Sequence, residues 1–259
     1  MQYKKQIKGT CHICGEEGEL TYEHIPPRAA FNNKRVIRLK FQEVISLGPD
    51  EIVKGPVQQR GVGAYTLCPR CNNYTGLHYA PRFIDWCYQG MGILMKSNGN
   101  PTSIHLSKLY PLSIIKEIAV MFFSVNPDTF RKVNPELVRF VLDREAKYLP
   151  SKYRFYVYFN IEGKLRFMGI TASVNVFKRT KPIMISEITY PPYGYVMTID
   201  SEKPDPRLFE ITSFAGFNYN EFKVMTLKLP VLPTHLVFPG DYRTKQEILE
   251  QAAQPQKDN

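Results

Sequence analysis

The chain has 259 residues, of which 43% are hydrophobic and 13% aromatic, which is enough to bury a sizeable core and too apolar for a disordered segment. It carries 34 Lys and Arg against 24 Asp and Glu, a formal net charge of +10, and an excess spread over both halves suits a polyanionic partner, nucleic acid first. No apolar run reaches the roughly 20 residues that a membrane helix needs, and Met1-Gln2-Tyr3-Lys4-Lys5 lacks the apolar stretch of a signal peptide, so a cytoplasmic protein without membrane contact is expected.

In chain order, a short basic lead-in is followed by Cys11-His12-Ile13-Cys14, a tight turn eased by Gly15 and Gly18. Leu20 to Ile25 reads as a short strand stopped by Pro26-Pro27, which leaves His24 at a strand end. Arg28, Lys34, Arg35, Arg38 and Lys40 follow with no acidic residue among them, interleaved with Phe31, Val36, Ile37 and Leu39. That pattern fits either a phosphate-contacting surface or a solvated face above a small apolar core. Ser46 to Gly63 is rich in Gly and Pro and reads as loop, with a short strand at Glu51 to Lys54. After Cys68-Pro69-Arg70-Cys71 the spacing of Leu77, Ala80, Phe83, Ile84 and Cys87 predicts a helix, with Pro81 at a helix start or a kink. Cys87 reads as a buried small apolar residue.

Turn-rich sequence near residue 100 suggests a boundary, with residues 1–100 forming one domain and 101–259 a second. The second opens with a helix over Pro111 to Ser124 and another from Pro135 to about Lys147. Strands are predicted at Tyr153–Phe159, Lys164–Phe177, Ile183–Thr189, Tyr195–Ile199, Leu208–Ala215 and Phe222–Leu229, with Glu162-Gly163 as a hairpin turn and Tyr153–Phe159 as half-buried sheet. A last helix spans Thr244 to Ala252. The fold class expected is α+β.

Two Cys-x-x-Cys pairs 54 residues apart can supply four thiolates to one tetrahedral Zn²⁺, which would draw Glu23-His24 close to Asn72-Asn73. Glu23 offers a carboxylate to a hard cation such as Mg²⁺ or Mn²⁺, and Asn72 or Asn73 a carbonyl oxygen to the same ion. His24 can act as a base near neutral pH. Together they suit metal-assisted hydrolysis of phosphodiesters. Among the other histidines, His12 reads as exposed or supporting the knuckle, His78 as packing or a metal or phosphate contact, and His105 and His235 as structural. Deaminase chemistry is set aside, because it needs His-x-Glu before Pro-Cys-x-x-Cys and the order here is Glu23-His24. No Gly-rich phosphate loop ending in Lys is present.

The run Cys-x-x-Cys, Glu-His-Ile-Pro-Pro, Leu-Cys-x-x-Cys-Asn resembles the HNH endonucleases of the zinc-knuckle type, over about residues 9–86. The resemblance implies a zinc-stabilised ββα-metal unit followed by a helix-plus-antiparallel-sheet region that binds the target or docks a partner. It implies His24 as general base and Glu23 with Asn72, or Asn73, as ligands of a catalytic divalent ion. Cys11, Cys14, Cys68 and Cys71 match the structural zinc site. DNA, or RNA, is the implied substrate, in a setting such as phage defence, with an activating protein partner as a further expectation. The family's middle Asn has no counterpart in Gly61 to Thr66, and the final His is replaced by Asn. The alternative is a catalytically inactive, zinc-stabilised nucleic-acid-binding module.

Overall fold

The computed structural model describes residues 6–37, 39, 43, 54–101, 104–173 and 182–253. It is a mixed helix-and-sheet fold with antiparallel sheets. Strands β1 (Ile7–Thr10), β2 (Glu17–His24) and β5 (Gly63–Leu67) make a small sheet in the order β1-β2-β5, while β3 (Val36–Ile37) and β4 (Val57–Gln58) pair separately in the long loop. Helix α1 (Pro69–His78) leaves directly from β5, and α2 (Ala80–Lys96) follows after a break at Tyr79. The break explains Pro81, which sits in the first turn of α2 where its missing N–H costs nothing. Leu77 belongs to α1 and is exposed, so the expected apolar stripe starts only with α2.

Helix α3 (Pro111–Val125) is the axis of the molecule. Its residues from Pro111 to Ser124 are all buried, as expected for a helix apolar on nearly every side. One face meets the small sheet, where Thr66 donates to Ser124 Oγ at 3.1 Å. The opposite face meets a five-stranded sheet through Phe122 and Phe155, whose rings lie 5.9 Å apart. That sheet runs β11-β7-β10-β9-β8, built from β7 (Tyr153–Phe159), β8 (Arg166–Ser173), β9 (Ile183–Tyr190), β10 (Tyr193–Ile199) and β11 (Phe209–Glu210). The Glu162-Gly163 hairpin is not formed: β10 and β9 lie between β7 and β8, and Gly163 instead bridges to Thr234. The predicted strand from Leu208 is reduced to β11, followed by a 3₁₀ turn at Thr212–Gly216. Short helices α4 (Phe130–Val133) and α5 (Pro135–Leu142) flank α3; the buried Lys116 donates to the Phe140 and Asp143 carbonyls at the end of α5. Strand β12 (Lys223–Leu227) pairs with β6 (Ile104–Leu109), and α6 (Lys245–Ala253) closes the described chain.

β7 is buried on both faces apart from Arg154, not half-buried. One face joins the main core. The other packs Tyr156 and Tyr158 with Ile185, Val196, Leu208, Leu232 and Tyr242 under the segment that precedes α6. A buried ion pair, Arg166 to Glu187 at 2.9 Å, pins that segment: Arg166 also donates to the Leu236 and Asp241 carbonyls, and the Gly240 N–H donates to Glu187. On the main-core face, Trp86 of α2 stacks on Tyr193, which stacks on Phe159. The core therefore runs continuously across residue 100. Among the described residues no helix is long and apolar enough to cross a membrane.

Candidate functional site

The first cysteine pair sits on the β1–β2 turn. The Gly15 N–H donates to the Cys11 carbonyl and the Cys11 N–H to the Glu16 carbonyl, both at 2.9 Å, closing a tight loop around the sulfurs. Gly15 has φ +80°, a left-handed conformation that favours glycine, and the guanidinium of Arg131 from α4 lies over it. The second pair comes from the β5–α1 junction. Cys68 is the N-cap of α1 and Cys71 lies three residues on, the spacing that puts both on one side of the helix start. The His12 N–H donates to the Thr66 carbonyl at 2.9 Å and His12 Nδ1 pairs with the Phe123 carbonyl, so the first knuckle is bound both to β5 and to α3.

These contacts bring the ligand atoms of Cys11, Cys14, Cys68 and Cys71 within 4.8 Å of one another. Four sulfurs in that space fit a metal such as Zn²⁺. Their crowding is visible in their acidities: hydrogen bonding with Cys71 pulls Cys11 down to about 4, while the same bond pushes Cys71 up. Cys14 is raised by burial. Arg70, ion-paired to Glu16 at 3.0 Å, adds positive charge beside this cluster. Among the described residues no other group of three His, Cys, Asp or Glu reaches metal-ligating distance.

Beyond the knot, β2 and α1 are held together by a short relay. Asn72 Nδ2 donates to Thr21 Oγ1 at 2.8 Å, and Thr21 Oγ1 donates to the Leu67 carbonyl at 2.9 Å. The relay fixes the Asn72 amide and leaves its carbonyl oxygen without a hydrogen bond to any described residue. Glu23 lies two residues beyond Thr21 on the same face of β2; it is 9% exposed, and burial pushes its carboxyl up to about 7. Asn73 is exposed one position further along α1 and makes no hydrogen bond among the described residues.

His24 points to the opposite face of the strand, with its ring edge-on to Tyr22. Its Nε2 lies 3.2 Å from the Arg60 carbonyl, which can only accept, so Nε2 carries the proton and the Nδ1 lone pair is free. Burial lowers its pKa, the Arg60 carbonyl raises it and the Arg28 charge lowers it, with a net shift downwards. The imidazole is neutral at pH 7. Arg28, Lys34, Arg35 and Arg60 are exposed around the loops that flank it, with no ion pair to any described residue. Arg38, Lys40 and residues 51–53 of the strand expected at Glu51 to Lys54 lie outside the described residues, and Lys54 is not in a strand.

The loop between β2 and β5 is closed by Asn32, fully buried. Its Nδ2 donates to the Pro26 and Val62 carbonyls at 2.7 and 2.8 Å, and its Oδ1 accepts from the Val62 N–H at 2.7 Å. Nothing in the sequence marks it, since one Asn in a polar loop has no pattern. His78 packs against Tyr74 and pairs with the Tyr219 hydroxyl at 2.9 Å, away from the knot. His235 lies 3.5 Å from Glu162, and Cys87 is buried in the main core. The side chain of His105 lies outside the described residues. No protein-family model, no curated protein and no solved structure matches this chain.

Proposed function

We propose that this chain is a metal-dependent endonuclease of the HNH type, cleaving phosphodiester bonds in DNA, with β2, β5 and α1 as its ββα-metal unit. The observation that carries this reading is the Cys₄ knot, which fastens the β1–β2 turn to the first turn of α1, together with the Asn72–Thr21 bond, which ties α1 to β2 two residues before Glu23. Glu23 and Asn72 would hold Mg²⁺ or Mn²⁺: one is a buried carboxylate and the other an amide oxygen, neither satisfied within the described protein. Bound there, a divalent cation supplies charge stabilisation for the phosphate and the leaving oxygen.

The chain's own groups do the rest. His24 Nδ1 accepts a proton from water as that water's oxygen bonds to phosphorus and one P–O ester bond breaks. The Arg60 carbonyl holds the ring in the tautomer that makes this possible. Arg28, Lys34, Arg35 and Arg60 would contact phosphates and place the backbone over His24, with no reading of base sequence implied. An activating partner and the RNA alternative are outcomes for the same assay to distinguish.

The test is incubation of the zinc-loaded protein with supercoiled plasmid and Mg²⁺ or Mn²⁺, comparing wild type with His24→Ala at equal zinc content. Cleavage by wild type and at least a hundredfold loss in the variant, the usual weight of a general base, is the expected result. The second reading, an inactive nucleic-acid-binding module, is favoured by the absence of a further His, Cys, Asp or Glu triad among the described residues. Salt-sensitive DNA binding with no cleavage by either protein would select it.

A further inference from the structure

Helix α3 carries a stripe of buried polar side chains, two of which have no hydrogen-bond partner among the described residues. Ser113, Glu117 and Ser124 recur at four- and seven-residue steps and so share one face of the helix. Ser124 meets Thr66 of β5, and the Phe123 carbonyl meets His12 at the knuckle. Those two contacts place the C-terminal end of α3 at the junction of β5 and the knuckle, and Glu117 lies two turns back along the helix from there. Ala64 is the cross-strand partner of Glu23. Cross-strand partners share a face, Leu67 is the partner of Thr21, and Thr21 and Glu23 share a face by alternation along β2, the register shift falling on β5. Glu23 therefore lies on the face of the small sheet that carries Leu67 into the main core with α3, where its charge bears on Glu117, two turns before Ser124.

Both carboxylates are nine-tenths buried or more, at 9% and 1% exposure. Among the described residues Glu117 Oε2 has no hydrogen-bond partner, nor does Ser113 Oγ one turn earlier on the same stripe. Lys116, next in sequence, turns away to the carbonyls at the end of α5. Among the described residues no lysine or arginine offsets either carboxylate, and each is pushed toward its neutral form by burial, Glu117 also by the charge of Glu23. Two carboxylates removed from water, opposed and unpaired, are costly to keep unless something positive lies between them.

From this geometry we infer that Glu117 is a ligand, together with Glu23, of one hard divalent cation bound between β2 and α3. All the donors offered are oxygens, which selects Mg²⁺ or Mn²⁺ over Zn²⁺. The inference rests on the reading of Glu23 as a metal ligand and adds to it a residue 94 positions away, in the part of the chain without any nuclease-like motif. The Ser113 hydroxyl supplies one more oxygen to the ion or to its water.

The test is titration of the zinc-loaded full chain with Mn²⁺, read by calorimetry and by the thermal midpoint, for wild type, Glu117→Gln, Glu23→Gln and His24→Ala. Wild type should bind one Mn²⁺ beyond the zinc and gain thermal stability from it. Glu117→Gln and Glu23→Gln should each weaken binding at least tenfold and lose the Mn²⁺-dependent rise, while His24→Ala binds as wild type does. Mn²⁺ bound equally well by Glu117→Gln overturns the inference. If Glu23→Gln still loses the ion in that case, the nuclease reading stands. Failure of wild type to bind Mn²⁺ also overturns it, and plasmid cleavage then decides the nuclease reading separately. Should Glu117→Gln fail to retain zinc, Glu117→Asp, which keeps the charge and withdraws it by one methylene, carries the test: wild-type Mn²⁺ affinity in that variant overturns the inference.

Discussion

Asn32 does for the β2–β5 connection what a ladder of backbone hydrogen bonds does inside a sheet. Its three bonds satisfy the Pro26 carbonyl and both backbone groups of Val62 in a place water does not reach. Replacing it with Ala leaves those groups unpaired, at about 1–3 kcal/mol each before relaxation. Asn32→Ala is therefore expected to lower stability by about 3 kcal/mol in urea unfolding, with zinc content unchanged. Because Ile25 bonds to Val62 directly after His24, the same variant should cut plasmid cleavage more than it cuts DNA binding. A variant with wild-type stability would show that the loop holds itself in place without this amide.

At the scale of elements, the Arg166–Glu187 pair is the firmest tie between the large sheet and the segment before α6. Removing one member strands the other in a dry interior, which costs about 3–5 kcal/mol, far more than the pair is worth as an attraction. Glu187→Gln should destabilise the protein by roughly that amount and release the amides around Gly240 to hydrogen exchange. Unchanged exchange there would mean that Tyr242 and its apolar neighbours hold the segment alone. Elements with strong local signals were legible in the sequence: Tyr153–Phe159 matches its strand residue for residue, and Pro111 starts α3 as read. The knot was legible too, because Cys-x-x-Cys spacing is itself the geometry of the site. What was not legible depends on partners distant in the chain. Glu162-Gly163 looks like a hairpin turn locally, and only the pairing of β7 with β10 and β11 overrides it. Glu117 is hidden for the same reason, as one charge in an apolar helix whose meaning comes from Glu23 across the fold.

For the molecule as a whole, the boundary expected near residue 100 separates sequence patterns and does not separate cores. Phe83 and Trp86 of α2 are fully buried, and their partners Tyr193, Tyr195 and Phe214 all belong to the later part of the chain. Burying two such aromatic side chains is worth several kcal/mol (about 1.5–3 each). A fragment of residues 1–100 is accordingly expected to bind zinc yet lack a cooperative thermal transition, measured by circular dichroism against the full chain. A sharp transition in the fragment would show that the knot alone organises it.

The place of Trp86 has a practical side. It is the chain's one tryptophan, its ring is stacked on Tyr193, and its Nε1–H donates to the Tyr195 hydroxyl at 3.0 Å. The molecule thus carries a single intrinsic fluorophore at the seam between its cysteine knot and its large sheet. Blue-shifted emission will report that the two are docked, and a shift to the red on chelation, on DNA addition or in a variant will report that they have parted, with no label attached.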